Sequence, residues 1–276
     1  RLTMRSLILI ILCLVGLVPM QAQEHERVLS HANMLGVGRS MQYDTYLSPL
    51  EYHGPCVSFL HESMRMTHHA ASRLSFQQRW QSSFAYTENP AGNAEAYGGH
   101  IAWNGGWHYH WTPLPRLRLL AGGLLGARVG FLYITRNGNN PAQARCAMDL
   151  SASVAALYDL RIRCRLFRIR YQADLPVMGG MFSPRFGESY YEIGEGKWDD
   201  HVFLTHPGNA LSLCQLLTVD CHFPRLTLRL CYQYDTRQSH VCYIRVLETS
   251  RNFLIGVVKH FSVITPSSPN ASKTIL

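Results

Sequence analysis

The chain is predicted to fold as all-β, a single transmembrane-type antiparallel β-barrel of about ten strands (roughly 8–12) with short periplasmic turns and longer extracellular loops. Three observations predict it. Long stretches alternate between two kinds of residue with a period of two, no stretch carries a helical period, and the chain is short of charge. Charged residues make up 16% of it, against about a quarter in soluble domains, and aromatics 11%. The clearest stretch is 97–111. Tyr97, Gly99, Ile101, Trp103, Gly105, Trp107, Tyr109 and Trp111 fall on one face, and Gly98, His100, Ala102, Asn104, Gly106, His108 and His110 on the other.

The elements follow in order. Met4-Arg5, the apolar run Leu7 to Val18 and the small residue Ala22 read as a signal peptide over 1–22, with residues 1–3 as a short upstream extension. The run is too short for a spanning helix, and no later run is long enough. Strands are expected at 31–39, 55–66, 73–88, 95–112, 115–135, 142–160, 166–178, 211–223, 225–237 and 251–263, so the barrel domain occupies 23–263. Within them Leu74, Phe76, Gln78, Trp80, Ser82, Phe84 and Tyr86 share a face, a less pure example. So do Phe167, Ile169, Tyr171, Ala173 and Leu175, and likewise Leu226, Leu228, Leu230, Tyr232 and Tyr234. The connections at 67–72, 113–114, 161–165 and 224 are short. Those at 40–54, 89–94, 136–141, 179–210 and 238–250 are mostly longer and richer in Gly, Pro, Asn and Asp, which puts both termini on the periplasmic side. The Pro- and Ser-rich tail 264–276 is expected to be disordered.

Alternation by itself does not say which face is inside. Volume does, because a barrel of about ten strands encloses a modest interior that cannot hold Trp80, Trp103, Trp107, Trp111 and the tyrosines of these rows. The aromatic face therefore meets lipid, and Trp107, Tyr109 and Trp111 at a strand end read as an interfacial girdle. The formal charge of +8 falls to about +6 without Arg1 and Arg5, and the arginines alternate with apolar residues rather than cluster. That excludes a nucleic-acid footprint. Of eight cysteines Cys13 leaves with the expected signal peptide, and the seven that remain, at scattered spacings with no CxxC pair, make neither a disulfide framework nor a zinc site; no cofactor motif is present. Expected partners are outer-membrane lipid and, during insertion, the barrel-assembly machinery.

DTYLSPLEYHGP (44–55), MRMT (64–67), RNGNNPAQA (136–144) and MFSPRFGESYYEI (181–193), with the closing FLIGVVKHF, resemble domain-of-unknown-function family 3316 of Gram-negative bacteria. The resemblance covers nearly the whole mature chain. It implies an exported outer-membrane β-barrel of the cell envelope and carries no activity onto any residue. In the closing strand, Gly256 five residues before Phe261 resembles part of an outer-membrane assembly signal, with Lys259 departing from it.

Four groups of residues could carry chemistry. His108 and His110 share a face and could chelate a metal with a third ligand, though the plainer reading is two lumen histidines near a periplasmic rim. Thr218, Asp220 and His222 with Ser83 offer the residue types of a hydrolase without a nucleophile elbow. Arg168, Arg170, Gln172 and Asp174, with Arg229, Gln233 and Asp235, form polar lumen rows that either conduct a solute or pair into a plug. Pairing is favoured, since ten strands are too few for a porin-like channel. Finally, Asp44, Tyr46, Glu51, Asn137, Asn139, Asn140, Phe186, Glu188, Tyr190, Tyr191 and Glu192 gather in loops at one end. Aromatics among Asn and acids suit a sugar or surface ligand, and equally suit mutual packing across the mouth. The expected function is structural or surface ligand binding through this rim. A lipid- or surface-modifying hydrolase and a narrow solute conduit are the alternatives.

Overall fold

The computed structural model describes residues 27–67, 73–138, 140–162, 165–194, 201–223 and 226–263. The expected signal peptide, the tail 264–276 and Asn139 lie outside them. Ten strands close an antiparallel barrel: β1 Arg27–Asp44, β2 Ser48–Met66, β3 Leu74–Glu88, β4 Glu95–Leu114, β5 Leu117–Ile134, β6 Ala142–Ile162, β7 Arg165–Phe182, β9 Ser212–His222, β10 Thr227–Val241 and β11 Ile244–Val263. Between β7 and β9 come a short helix, α1 Tyr190–Gly194, and an extra strand, β8 Val202–Thr205, which pairs with the end of β7. The ring closes where β1 pairs with β11, from Arg27–Val263 to Asp44–Val246. At that closure Gly256 faces inward, and a Cβ on it would collide with the Asn33 carbonyl, so the two strands can coil this closely only with glycine there.

The period of two resolves as expected. On β4 Trp107 is 53% exposed on the outer face while its neighbour His108 is fully buried in the lumen. Phe76 packs edge-on against Trp107 at 5.2 Å at one end, and Tyr86 lies 5.5 Å from Tyr97 at the other. Tyr97 and Trp107 stand ten residues apart on one strand. At about 3.3 Å per residue and a tilt of about 40°, that interval spans about 25 Å, the height of an apolar band between two aromatic girdles. Between them Leu35, Val57, Ile101, Val129 and Ile255 present exposed apolar side chains around the wall. Among the described residues no helix is long and apolar enough to cross a membrane.

The strands outrun that band. The segments 40–54 and 238–250, expected as loops, are strand except at 45–47 and 242–243. Beyond the girdle the outer face meets water instead of hydrocarbon, so outward Arg39 and Met41 show no apolar contrast with the buried, inward Ser40 and Gln42 although their ladder continues. Alternation reported the membrane belt rather than the strand. At the tip of β10–β11, Cys242 (φ 50°) and Tyr243 (φ 63°) form a two-residue turn with both residues left-handed.

Candidate functional site

The lumen is filled by paired charge. Glu62 on β2 accepts from Arg170 Nη2 at 2.6 Å on β7, from Arg229 Nη1 at 2.8 Å on β10 and from Gln77 Nε2 at 3.2 Å on β3. Arg229 also forks onto Asp220 at 2.6 and 2.7 Å. Asp174 accepts from Arg79 and Ser153, both at 2.5 Å, and from Gln172 Nε2 at 3.0 Å. Nearer the extracellular mouth, Glu248 takes both Arg128 and Arg145, and Arg145 reaches on to Asp44 at 3.0 Å. These side chains all point inward, so each charge removed from water meets a counter-charge, across the lumen or, for Asp220, on the neighbouring strand.

Of the lumen residues picked from the sequence, Arg170, Gln172, Asp174 and Arg229 enter this network. Arg168 instead forks onto Asp159 at 2.7 and 3.1 Å near the periplasmic end. Gln233 is fully buried with no hydrogen-bond partner among the described residues, and Asp235 stands 3.4 Å from Arg237. The reading from sequence missed Glu62, Arg79, Arg128, Arg145 and Glu248. Each is an isolated charge on the inward parity of its strand, and that parity is the signal that would have found them.

The residues considered for a hydrolase do not converge. Asp220 is held by Arg229, His222 lies 3.0 Å from Thr227 Oγ1, and Ser83 lies on another wall. Ser83 does meet a histidine and an acid, namely His100 and Glu248. Its Oγ is 3.2 Å from His100 Nδ1, but Glu248 Oε1 (3.4 Å) and Arg128 Nη2 (2.9 Å) approach the same nitrogen. A base needs the acid on one ring nitrogen and the nucleophile on the other. His108 and His110 hold Ser153 at 2.8 Å and Ser75 at 2.7 Å through their Nε2 atoms, and no third metal ligand joins them among the described residues.

At the extracellular end the three expected loops meet. Tyr46 OH donates to the Glu188 carbonyl at 2.6 Å, and its ring lies edge-on to Tyr190 at 6.2 Å. Asn137 Nδ2 donates to the Leu47 carbonyl at 2.9 Å. Ala144 N donates to Tyr190 OH at 2.7 Å, so α1 is tied to β6 across the mouth, and Ile193 beneath it is fully buried. Ser189 and Glu192 form a capping box at the start of α1. Burial pushes the Tyr190 hydroxyl up to about 12 and raises Tyr46 as well. Asp44 was expected in an open loop. It is the last residue of β1, buried and paired with Arg145, and so belongs to the lumen rather than to a surface site. Glu51 stays exposed on β2 beside His53, and Asn140 is half-buried. What remains open is aromatic: Phe186 on the Gly187 turn, Tyr191 on α1 at 77% exposure, and Tyr243 at 91%. Tyr243 escaped the reading from sequence because its segment looked like ordinary loop.

His201 Nε2 donates to Glu188 at 2.7 Å and holds that carboxyl below its ordinary value of 4.5. A depressed carboxyl contributes stability that is complete above the ordinary value and is lost as pH falls through the depressed one. Hydrogen exchange across 183–193, corrected for intrinsic rate, should therefore accelerate as pH drops from 5 toward 3. In His201→Ala it should be fast already at pH 5. Equal protection at both pH values in the parent protein would sink this account of the cap.

A closed ten-stranded wall, an exposed apolar belt between aromatic girdles and a charge-filled lumen define an outer-membrane-type β-barrel with no established activity. The chain belongs to the family described as Protein of unknown function (DUF3316), whose model matches residues 7–268. No curated protein matches it. Among solved structures it is similar to the transport unit of the autotransporter AIDA-I from Escherichia coli, at 9% identity and a TM-score of 0.47, covering 91% of this chain and 94% of that one. It is also similar to the outer membrane protease OmpT from Escherichia coli, at 6% identity and a TM-score of 0.46, with 88% and 99% covered. The translocator domain of the autotransporter NalP from Neisseria meningitidis follows at 9% and 0.40, with 93% and 95% covered. No residue role is taken from them.

Proposed function

We propose that this protein sits in the outer membrane of a Gram-negative bacterium and binds a surface ligand, a carbohydrate or other envelope component, through its extracellular rim. Tyr243 carries the reading. It is 91% exposed and held at φ 63°, in a turn where glycine would serve without strain. The fold gains no packing from that ring, and strain retained at an exposed loop aromatic is what a binding surface requires. Phe186 and Tyr191 add exposed rings at the same end, and Glu51, Asn140 and Glu192 add hydrogen-bonding groups. The paired lumen argues against a solute conduit, and the shared nitrogen of His100 argues against a hydrolase.

The test is binding of the detergent-solubilised protein to a panel of immobilised bacterial-surface oligosaccharides. The parent protein should retain at least one of them, and the triple variant Phe186→Ala, Tyr191→Ala, Tyr243→Gly should bind it at least tenfold more weakly. Because Tyr243→Gly relieves turn strain, the triple variant should unfold no earlier in denaturant. Equal binding by the two proteins, or no glycan retained by either, would sink the proposal.

A further inference from the structure

The outer face of the barrel is polar where four neighbouring strands approach the periplasm. Lys259 pairs with His31, His31 with Ser63 and Ser63 with Gln78, all on the outward parity of β11, β1, β2 and β3. One pleat nearer the extracellular side Asn33 pairs with His61, and His61 Nδ1 lies 2.7 Å from Asn33 Oδ1. The His31 and His61 rings are 5.7 Å apart. One pleat nearer the periplasm, Arg65 holds its guanidinium 5.1 Å over the ring of Phe76, which belongs to the girdle with Trp107. The flanking strands interrupt the belt with nothing similar: β10 presents Leu228 and Leu230, and β4 presents Trp103 and Trp107. Polar groups on a lipid-facing wall are costly unless something polar covers them.

The patch is basic. Arg65 and Lys259 are both exposed, and among the described residues no acid shares the outer face of these four strands between the patch and the periplasm. Glu62, between His61 and Ser63 in the chain, points into the lumen, where Arg170 and Arg229 hold it. The exposed acids Glu51 and Glu88 stand at the other end of β2 and β3. Glu24 and Glu26 lie outside the described residues, five or more residues before His31. A second copy of this chain laid on the patch about a two-fold axis would set cations against cations. Charge complementarity therefore points to an anion.

Beyond the patch, on the same outer face, lies an apolar trough of about 480 Å³. Leu35 and Phe59 form its near side, and they are the next outward residues after Asn33 and His61, one pleat or about 7 Å along their strands. Ile101 and Phe131 form the far side. The floor is small, because Ser82 pairs with both Phe59 and Ile101, and Gly99 pairs with Phe131. Cationic donors at the periplasmic edge, followed by an apolar trough toward the bilayer centre, repeat the polarity of a phospholipid in the periplasmic leaflet. We propose that β11, β1, β2 and β3 bind one anionic diacyl phospholipid of that leaflet. Lys259 and Arg65 meet its charge, His31 and Ser63 hydrogen-bond its phosphate, and an acyl chain lies in the trough over Ser82.

The test is native mass spectrometry of the full mature protein in a non-ionic detergent, with equal amounts of dioleoyl phosphatidylglycerol and dioleoyl phosphatidylcholine. The two lipids share chains and phosphate and differ in net charge. One phosphatidylglycerol per chain should be retained, at least fivefold over phosphatidylcholine. Arg65→Gln and Lys259→Gln should each lower that ratio at least twofold, and the double variant should bring it to one. Arg116→Gln and Arg161→Gln, which remove exposed cations from other periplasmic turns, should leave it unchanged. Ser82→Trp, which fills the trough and keeps the patch, should weaken phosphatidylglycerol retention at least fivefold. All five positions lie outside the packed lumen, and gel mobility before and after boiling checks that each variant has folded. Four results would overturn the proposal: equal retention of the two lipids by the parent, parental retention in a folded Ser82→Trp or double variant, an equal loss in Arg116→Gln, or a lipid-free dimer. Displacement of phosphatidylglycerol by equimolar oleate would overturn the choice of a diacyl lipid.

Discussion

Glu62→Ala is expected to destabilise the barrel by about 3–5 kcal/mol, the cost of stranding a buried charge. Glu62 is buried and is the acceptor for Arg170, Arg229 and Gln77, from three other strands. Arg229 keeps Asp220 when the carboxylate goes, and Arg79 keeps Asp174. Arg170 loses its only ion pair among the described residues, and its Nε already lacks an acceptor. The loss is therefore dominated by one guanidinium left in a water-poor interior. Denaturant unfolding in lipid vesicles measures it. The double variant Glu62→Ala, Arg170→Met should recover much of the loss, because it removes the stranded charge as well as its partner. A single-variant loss below about 1 kcal/mol would mean that the lumen is wet enough to solvate Arg170. The filled interior would then be abandoned and the conduit reading would return.

Ile101→Arg is expected to cost about 2–4 kcal/mol, whereas Leu50→Arg should cost about 0–1 kcal/mol. Both side chains are exposed, at 60% and 44%. They differ in position. Ile101 lies between the girdles, paired with Ser82 and Val129 in the middle of the belt, while Leu50 is on the part of β2 that runs past the girdle toward the extracellular tip. Arginine at Ile101 must enter hydrocarbon, and arginine at Leu50 enters water. Equal costs at the two sites would mean that no apolar solvent surrounds the wall, and the girdles on β4 would need another explanation.

The barrel was legible because its signal is local. In 97–111 each residue declares its face against its immediate neighbours, and ten such segments separated by turn residues suffice to count strands. The overhang was not legible, because the outward residues of 40–44 and 48–54 stand past the hydrocarbon and no longer contrast with the polar, inward Ser40, Gln42 and Asp44. The rim was half legible. Tyr46, Asn137, Glu188 and Tyr190 do come together, but Asp44 turned inward to Arg145, and Tyr243 became the most exposed ring only because a two-residue turn holds it out.

The sequence by itself determined the fold class, a count of about ten strands and the lipid-facing side, all of which follow from a period of two read over a few residues. The tertiary structure decided who meets whom. Glu62 finds Arg170 and Arg229 across separations of 108 and 167 residues. β7 leaves β9 beyond Asp174–Cys214 and pairs with β8 instead from Gly179 to Phe182. Such pairings depend on closure, stagger and one displaced strand, which set distances across the lumen that no stretch of neighbouring residues encodes.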